Sequence, residues 1–245
     1  WVQVPFSGVE TYLPYIDETR TWTSAKGVFG GAVAELALGL LLGGMRHIAG
    51  YAREQQWTED HGRTLFGARV TILGAGGIAQ SLISMLKPFN CHITVVRNRE
   101  GDVPGADVVL TTSRLHEALL RADAVLMAIA LTPHTHGIMG KAEFELMQSH
   151  AWIVNVGRGK QIVTDDLVWA LETGEIGGAA LDVTDPEPLP AGHPLWSLPN
   201  CIITPHVGNT AEMVPPLLAL RIAENVRRFA AGEQLIGIVD RTVGY

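Results

Sequence analysis

Three polar residues close otherwise apolar runs in this chain: Arg158 follows "IVNVG", Glu187 lies in "LDVTDPEPLP", and His206 ends "IITPH". A guanidinium can hold a carboxylate through two parallel hydrogen bonds and polarise a neighbouring carbonyl. A protonated imidazole can hand its proton to a carbonyl oxygen as hydride arrives, and a carboxylate beside it keeps the ring charged and oriented. Together the three suit reduction of a 2-oxo acid. Taken singly, each has an ordinary alternative: a surface arginine, a turn glutamate, a loop histidine. Spacing alone does not choose between the two readings.

A second constellation is the glycine turn in "LGAGGIAQSL", which places Gly74-x-Gly76-x-x-Ala79 between an apolar run and a helical pattern. The first glycine permits a tight turn and the second lets backbone approach a pyrophosphate. A small third residue allows close helix–strand contact, which Ala79 can provide. Gly76, Gly77 and Ile78 then open a helix whose free N–H groups and positive dipole end suit phosphate. After the next apolar run come Arg97, Asn98 and Arg99, where a site for NAD carries an acid for the ribose hydroxyls. A carboxylate would repel the 2′-phosphate of NADP, whereas two guanidiniums can clamp it. The expectation favours NADP(H), with NAD(H) the alternative; the plain reading is a pair of solvated arginines.

These residues need a scaffold that gathers them on one edge. From about Phe66, short β-rich runs alternate with helical stretches. The segments "RVTILGAGG" (69–77), "CHITVVR" (91–97), "DAVLMAIA" (123–130), "AWIVNVG" (151–157), "GGAALDV" (177–183) and "NCIITPH" (200–206) read as strands, and "DVVLTT" as a weaker extended piece. "IAQSLISMLKP" reads as a helix stopped by Pro88, "RLHEALLRA" as a short helix, and "TDDLVWALETG" as a helix with Thr164 as N-cap and Gly174 as stop. Strands this apolar are buried on both faces, the signature of a parallel sheet with crossover helices. The fold class is therefore α/β, a doubly wound parallel sheet, in which ligands bind beyond the C-terminal strand ends. Two segments fall outside it: residues 30–57, one long helical pattern that must pack on more than one side, and the amphipathic stretch 215–233.

Composition bounds the rest. With 245 residues, 47% of them hydrophobic, the chain suits one large or two small domains. A net charge of −7 argues against nucleic acid or an anionic membrane as the main partner. The longest apolar run, residues 36–45, is too short to span a bilayer, and no secretory signal opens the sequence. Cys91 and Cys201 both sit in strand-like runs and read as reduced core thiols, which favours a cytoplasmic setting. His134 and His136 lack accompanying cysteines or carboxylates, so no metal site is expected.

The blocks "VNVGRGKQIVTDDLVWAL", "AALDVTDPEPLP" and "PLWSLPNCIITPHVG" resemble the signature blocks of the D-isomer-specific 2-hydroxyacid dehydrogenase family. "FGARVTILGAGGIAQSL" resembles its nucleotide-binding block and "VAELALGLLLGGMRHI" its interdomain helix. The resemblance implies a Rossmann-type domain and hydride transfer between a nicotinamide cofactor and a small 2-oxo or 2-hydroxy acid. It implies that Arg158 binds substrate and assists catalysis, that His206 is the acid/base, and that Glu187 is its partner. Asp182 would meet the nicotinamide carboxamide, and Val156, Gly157 and Gly208 would flank the cofactor together with His206. "ALTPHT" resembles the loop passing along the cofactor, with Leu131, Thr132 and Pro133. "FSGVE" resembles the loop whose backbone at Gly8 and Val9 receives the substrate carboxylate. Trp196 resembles the aromatic lid of glyoxylate/hydroxypyruvate reductases, which points to that subgroup over phosphoglycerate dehydrogenase. A homodimer through residues 32–47 is implied as well. The other class of function open to this resemblance is a nucleotide-sensing binding protein or corepressor, against which the complete Arg/Glu/His set argues.

Two departures from the family pattern stand out. Ala79 replaces the usual third glycine, and only the last stretch of the second domain precedes the nucleotide-binding part. The expected division is residues 1–30 as a remnant of the substrate-binding domain, 31–207 as the dinucleotide-binding domain with its interdomain helix, and 208–245 as the C-terminal helix returning to the substrate side. A start at Trp1 reads as a piece of a longer chain.

Overall fold

The structure, a computed structural model, describes residues 1–9 and 11–240. Two short strands, β1 (Val2–Gln3) and β2 (Trp22–Thr23), pair in parallel ahead of helices α1 (Gly30–Met45) and α2 (Ile48–Tyr51). The main sheet begins with β3 (Arg69–Leu73), followed by α3 (Gly77–Leu86), β4 (His92–Arg97), β5 (Val108–Thr111), α4 (Leu115–Leu119) and β6 (Ala124–Met127). It continues through α5 (Lys141–Leu146), β7 (Trp152–Asn155), α6 (Thr164–Glu172), β8 (Gly178–Leu181) and β9 (Cys201–Ile203), and α7 (Val214–Ala230) comes after it. Strands β3 to β9 form one seven-stranded sheet in the order β5-β4-β3-β6-β7-β8-β9, with every pair parallel.

The doubly wound expectation holds, and its physical basis is visible residue by residue. Val70 and Ile72 of β3 pack into a core shared with α1 and α3, whereas Leu73 packs into a second core with α4, α5 and α6. Leu126 and Val154 likewise belong to the first core, and Val125, Met127 and Ile153 to the second. Alternate residues thus bury against opposite layers, so each strand must be apolar throughout. Thr71 of β3 is buried but polar, and its Oγ1 donates to Ala118 O at 2.8 Å. The weaker run at 108–111 is an edge strand, which needs only one neighbour.

Helix α1 lies against α3 and across β7, β8 and β9. Gly44 allows this approach, because a Cβ there would stand 2.2 Å from the Trp152 ring. The expected single helix over 30–57 is corrected: α1 stops at Met45, and His47 takes a left-handed backbone (φ 54) before the one-turn α2. Beyond it nothing supports a helix, since Trp57 is fully exposed and a short helix without packing is marginal. Thr164 is also corrected from N-cap to first helical residue, with Val163 in the cap position and Thr164 Oγ1 donating to Asp185 O (2.7 Å).

Helix α7 is tied back to the N-terminal stretch through the fully buried Asn225. Its Nδ2 donates to Gln3 Oε1 (3.1 Å) and Ile236 O (3.0 Å), and its Oδ1 accepts from Ile236 N (2.9 Å). Thr23 and Ile238 form an antiparallel bridge, and Val9, Ile16 and Val239 share a small core of their own. Both ends of the described chain therefore meet beside the main sheet. Residues 241–245 of the expected C-terminal segment, and Glu10 of the "FSGVE" loop, lie outside the described residues. No described helix is long and apolar enough to cross a membrane.

Candidate active site

Strand β3 pairs with β4 on one side and β6 on the other, so successive crossovers leave in opposite directions. A crevice necessarily opens beyond the C-terminal ends of such strands. A cleft of about 450 Å³ occupies that place. Its sheet-side wall is made by Gly76, Gly77 and Ile78, by residues 128–131 and 156–158, and by Asp182, His206 and Gly208. The rest of the lining comes from residues 6–9 with Thr11 and Tyr12, and from Lys26, Gly27, Phe29 and Gly30.

The glycine turn is built for close backbone approach. Gly74 has φ 111, and a Cβ there would sit 2.4 Å from Ala128 O, so no other residue fits. Gly76 is the N-cap of α3 and has no atom within 4 Å of its missing Cβ, which leaves its face open. The first-turn N–H groups of α3 have no partner inside the helix. Ala79 is fully buried and belongs to the core cluster that also holds Val70 and Ile72 of β3, a place for a small third residue. An open glycine face at a helix N-terminus fits a dinucleotide diphosphate. Arg97 ends β4 half-buried, and Asn98 and Arg99 follow it exposed to solvent; none of the three lines the cleft itself.

Arg158 is held by two buried amides that its own sequence pattern does not announce. Asn155 Nδ2 donates to Arg158 O (3.0 Å), while Asn155 Oδ1 accepts from Gly157 N (2.9 Å). Gln161 Oε1 accepts from Arg158 N (2.9 Å), and its Nε2 donates to Ile129 O (2.8 Å). Both amides are fully buried, and Gly159 beyond them has no room for a Cβ, which would meet Thr184 O at 1.9 Å. The backbone that carries the guanidinium is thus fixed on both flanks. Its Nη1 donates to Gly157 O (2.8 Å).

His206 stands three residues past the end of β9, not on it. Its backbone is left-handed (φ 54), a conformation that costs a residue with a side chain about 1–2 kcal/mol. Asp182, 3% exposed, holds that turn. Its Oδ1 accepts from Thr204 Oγ1 (2.6 Å) and Val207 N (2.9 Å), and its Oδ2 accepts from Gly208 N (2.9 Å). His206 Nδ1 and Glu187 Oε1 are 2.6 Å apart, with the side chains 50% and 42% exposed. Glu187 Oε2 also accepts a long bond from Thr184 N (3.4 Å). The structure therefore brings Arg158 and His206 to one cleft, with Glu187 behind His206.

Other residues singled out by sequence are placed less uniformly. Gly8 and Val9 line the cleft, and Val9 points its side chain into the small core with Ile16 and Val239. Leu131 lines the cleft, while Thr132 and Pro133 belong to a turn whose Thr135 Oγ1 donates to Ala130 O (2.7 Å) and accepts from Thr132 N (2.8 Å). Val156, Gly157 and Gly208 all line it. Trp196 does not: its indole N–H donates to Pro190 O (3.0 Å), and the ring stays half exposed away from the cleft. Outside the cleft, His116 and His150 pair with Glu143 and Asp123, each at 2.7 Å. Asn155, Gln161 and Thr204 escaped the sequence reading, although a polar residue within apolar "WIVNV" is a signal. Among the described residues no cluster of three His, Cys, Asp or Glu side chains could hold a metal ion.

Residues 38–208 match the D-isomer specific 2-hydroxyacid dehydrogenase NAD binding domain. An uncharacterized protein of Corynebacterium melassecola is 39% identical over 100% of this chain and 83% of its own. The human glyoxylate reductase/hydroxypyruvate reductase is 34% identical over 82% of this chain, which spans only 64% of that enzyme. An NADPH-dependent glyoxylate/hydroxypyruvate reductase from Sinorhizobium meliloti, solved with NADP and sulfate, superposes on 100% of this chain and 79% of its own, with a TM-score of 0.89 and 25% identity. The match covers most of the chain, and this chain belongs to the NAD(P)-dependent D-isomer-specific 2-hydroxyacid dehydrogenase family.

Proposed function

We propose that this chain reduces small 2-oxo acids, glyoxylate or hydroxypyruvate, with NADPH as its preferred cofactor. The observation that carries the proposal is the shared cleft: Arg158 and His206 line it together with Gly77 and the open face of Gly76, and Glu187 lies 2.6 Å from His206 Nδ1. Arg158 takes the substrate carboxylate and polarises the adjacent carbonyl, and the backbone of Gly8 and Val9 also meets the substrate. Because Nδ1 is engaged by Glu187, His206 presents Nε2 to the carbonyl oxygen and donates its proton there. NADPH, when bound, supplies the hydride. Glu187 stabilises the imidazolium before that transfer and keeps the neutral ring oriented after it.

The residues 74–79 turn holds the diphosphate, and Leu131, Thr132, Pro133, Val156, Gly157 and Gly208 flank the nicotinamide half. Asp182 accepts three hydrogen bonds, which leaves one lone-pair site of its carboxylate for the carboxamide. Arg97 and Arg99, beside Asn98 at the end of β4, favour NADPH through its 2′-phosphate. The NADPH dependence of the Sinorhizobium meliloti reductase supports that preference. Residues 1–30 and 208 onward form the substrate side of the proposal, and 31–207 the nucleotide side. A homodimer through the helix around residues 32–47 belongs to the same reading. So does a cytoplasmic setting, a compartment that keeps thiols such as Cys91 and Cys201 reduced.

The test is NADPH oxidation with glyoxylate, hydroxypyruvate, pyruvate and 3-phosphohydroxypyruvate, repeated with NADH. Turnover of the first two, faster with NADPH, is the expected result. Preference for 3-phosphohydroxypyruvate would replace the substrate assignment, preference for NADH would remove the arginine clamp, and dinucleotide binding without any turnover would favour a sensor.

A further inference from the structure

We infer that Lys26, which lines the cleft beside the first turn of α3, is a further cofactor-binding residue that neutralises the dinucleotide diphosphate; the inference rests on the nucleotide reading above. Lys26 is exposed and lines the same cleft as Gly76, Gly77 and Ile78. Its position is set by close packing on both sides. Gly27, the next residue, brings its Cα to 3.2 Å from the point where a Cβ of Gly77 would stand. The stretch after Lys26 therefore touches the first turn of α3, where the diphosphate lies. On the other side, Ala25 N donates to Phe6 O (2.9 Å) and Ser7 Oγ donates to Ala25 O (3.0 Å). Arg221 of α7 donates from Nη1 to Lys26 O at 2.9 Å, which pins the segment from a helix far away in sequence.

Charge gives this placement a consequence. A dinucleotide diphosphate carries roughly two negative charges, whereas a helix N-terminus offers roughly half a positive one. Apart from His206, the described residues lining the cleft include two cations, Arg158 and Lys26. Arg158 leaves the end of β7 and is committed to the substrate carboxylate in the proposed reaction. Lys26, next to the glycine that abuts Gly77, is the cation placed to complete the neutralisation. It stands on the segment that packs directly on the first turn of α3, where Gly27 and Gly30 both abut Gly77.

The experiment uses the full chain and measures NADPH binding by fluorescence titration, without substrate, for wild type, Lys26→Ala and Lys26→Arg. Removing one charge-assisted contact to phosphate should raise the Kd of the alanine variant about tenfold, and arginine should restore most of the loss. The alanine variant should also show a weaker salt dependence of binding, since it has one charge fewer to screen. At saturating NADPH the KM for the 2-oxo acid should stay close to the wild-type value. A Kd unchanged by Lys26→Ala overturns the inference, and a raised substrate KM with unchanged Kd would reassign the lysine to the substrate. If wild type binds neither NADPH nor NADH, the nucleotide reading itself fails and this one falls with it. Binding by wild type with no effect of the substitution refutes Lys26 alone.

Discussion

Replacing Asp182 with Asn isolates the device that holds His206 in place. The substitution preserves size and shape and removes the charge from a carboxylate that is 3% exposed and accepts three hydrogen bonds. An amide has one oxygen. If that oxygen keeps the bonds from Thr204 Oγ1 and Val207 N, the amide nitrogen confronts the Gly208 N–H, donor against donor. The orphaned N–H costs about 1–3 kcal/mol, and the two surviving bonds weaken by up to about 1 kcal/mol each when the acceptor becomes neutral. Allowing for relaxation, a loss of about 3 kcal/mol is expected. In a chain of this length that lowers Tm by about 6–12 °C. The same bonds oppose the left-handed strain at His206, so the ring should drift from its position over the cleft. A displacement on the order of 1 Å in a catalytic group costs up to about a hundredfold in rate. Circular dichroism melts and NADPH-dependent turnover, assayed well below the lowered Tm, read the two effects separately. A Tm within about 1 °C of wild type would refute the anchoring role. A lowered Tm with full turnover would sever the link between Asp182 and His206.

Three further outcomes follow from other parts of the structure. Gly74→Ala places a methyl 2.4 Å from Ala128 O at φ 111, so NADPH affinity should fall at least about tenfold, with Tm lowered, in a titration and a melt. Gln161→Leu orphans Arg158 N and Ile129 O in a buried setting; urea unfolding should show a loss of about 2–4 kcal/mol, and kcat should fall more than NADPH affinity. At Asp123, burial raises the carboxyl pKa, but donation from Arg69 N and the bond to His150 outweigh it and hold the pKa below the ordinary value. A carboxyl with a depressed folded-state pKa stabilises the fold above its unfolded pKa, and that contribution is lost as pH falls through the folded one. The urea-midpoint gap between wild type and Asp123→Asn should accordingly narrow as pH drops below about 4, and a gap constant with pH would contradict this.

The strands were legible because a parallel sheet buries both faces, and that demand writes uninterrupted apolar runs such as "AVLM" and "WIV" into the chain. The glycine turn was legible for a similar reason: Gly74 answers a local backbone requirement that no other residue meets. What stayed hidden depends on partners far away in sequence. The end of α1 at Met45 follows from the lack of any surface for residues 52–57 to cover, which no helical pattern reveals. β1 and β2 are two residues each and exist only because they pair with each other and with the segment around Ile238. Gln161 looks unremarkable in sequence and Asn155 shows only as a polar residue in an apolar run; their role emerges when both are buried beside Arg158. Trp196 shows the converse: an aromatic in a suggestive block turns its indole to Pro190 O instead of the cleft.

The central claim is that Arg158 and His206 act on a 2-oxo acid in the cleft that also receives the nucleotide. The measurement that tests it most directly is kcat/KM for glyoxylate at saturating NADPH, wild type against Arg158→Ala, with the NADPH Kd of both. Loss of a preorganised cation that holds the carboxylate and polarises the carbonyl should lower kcat/KM by about 10²–10³-fold. The NADPH Kd should stay close to wild type, because the diphosphate is held at the residues 74–79 turn. Turnover that survives the substitution undiminished would contradict the account, whatever the cofactor affinity does.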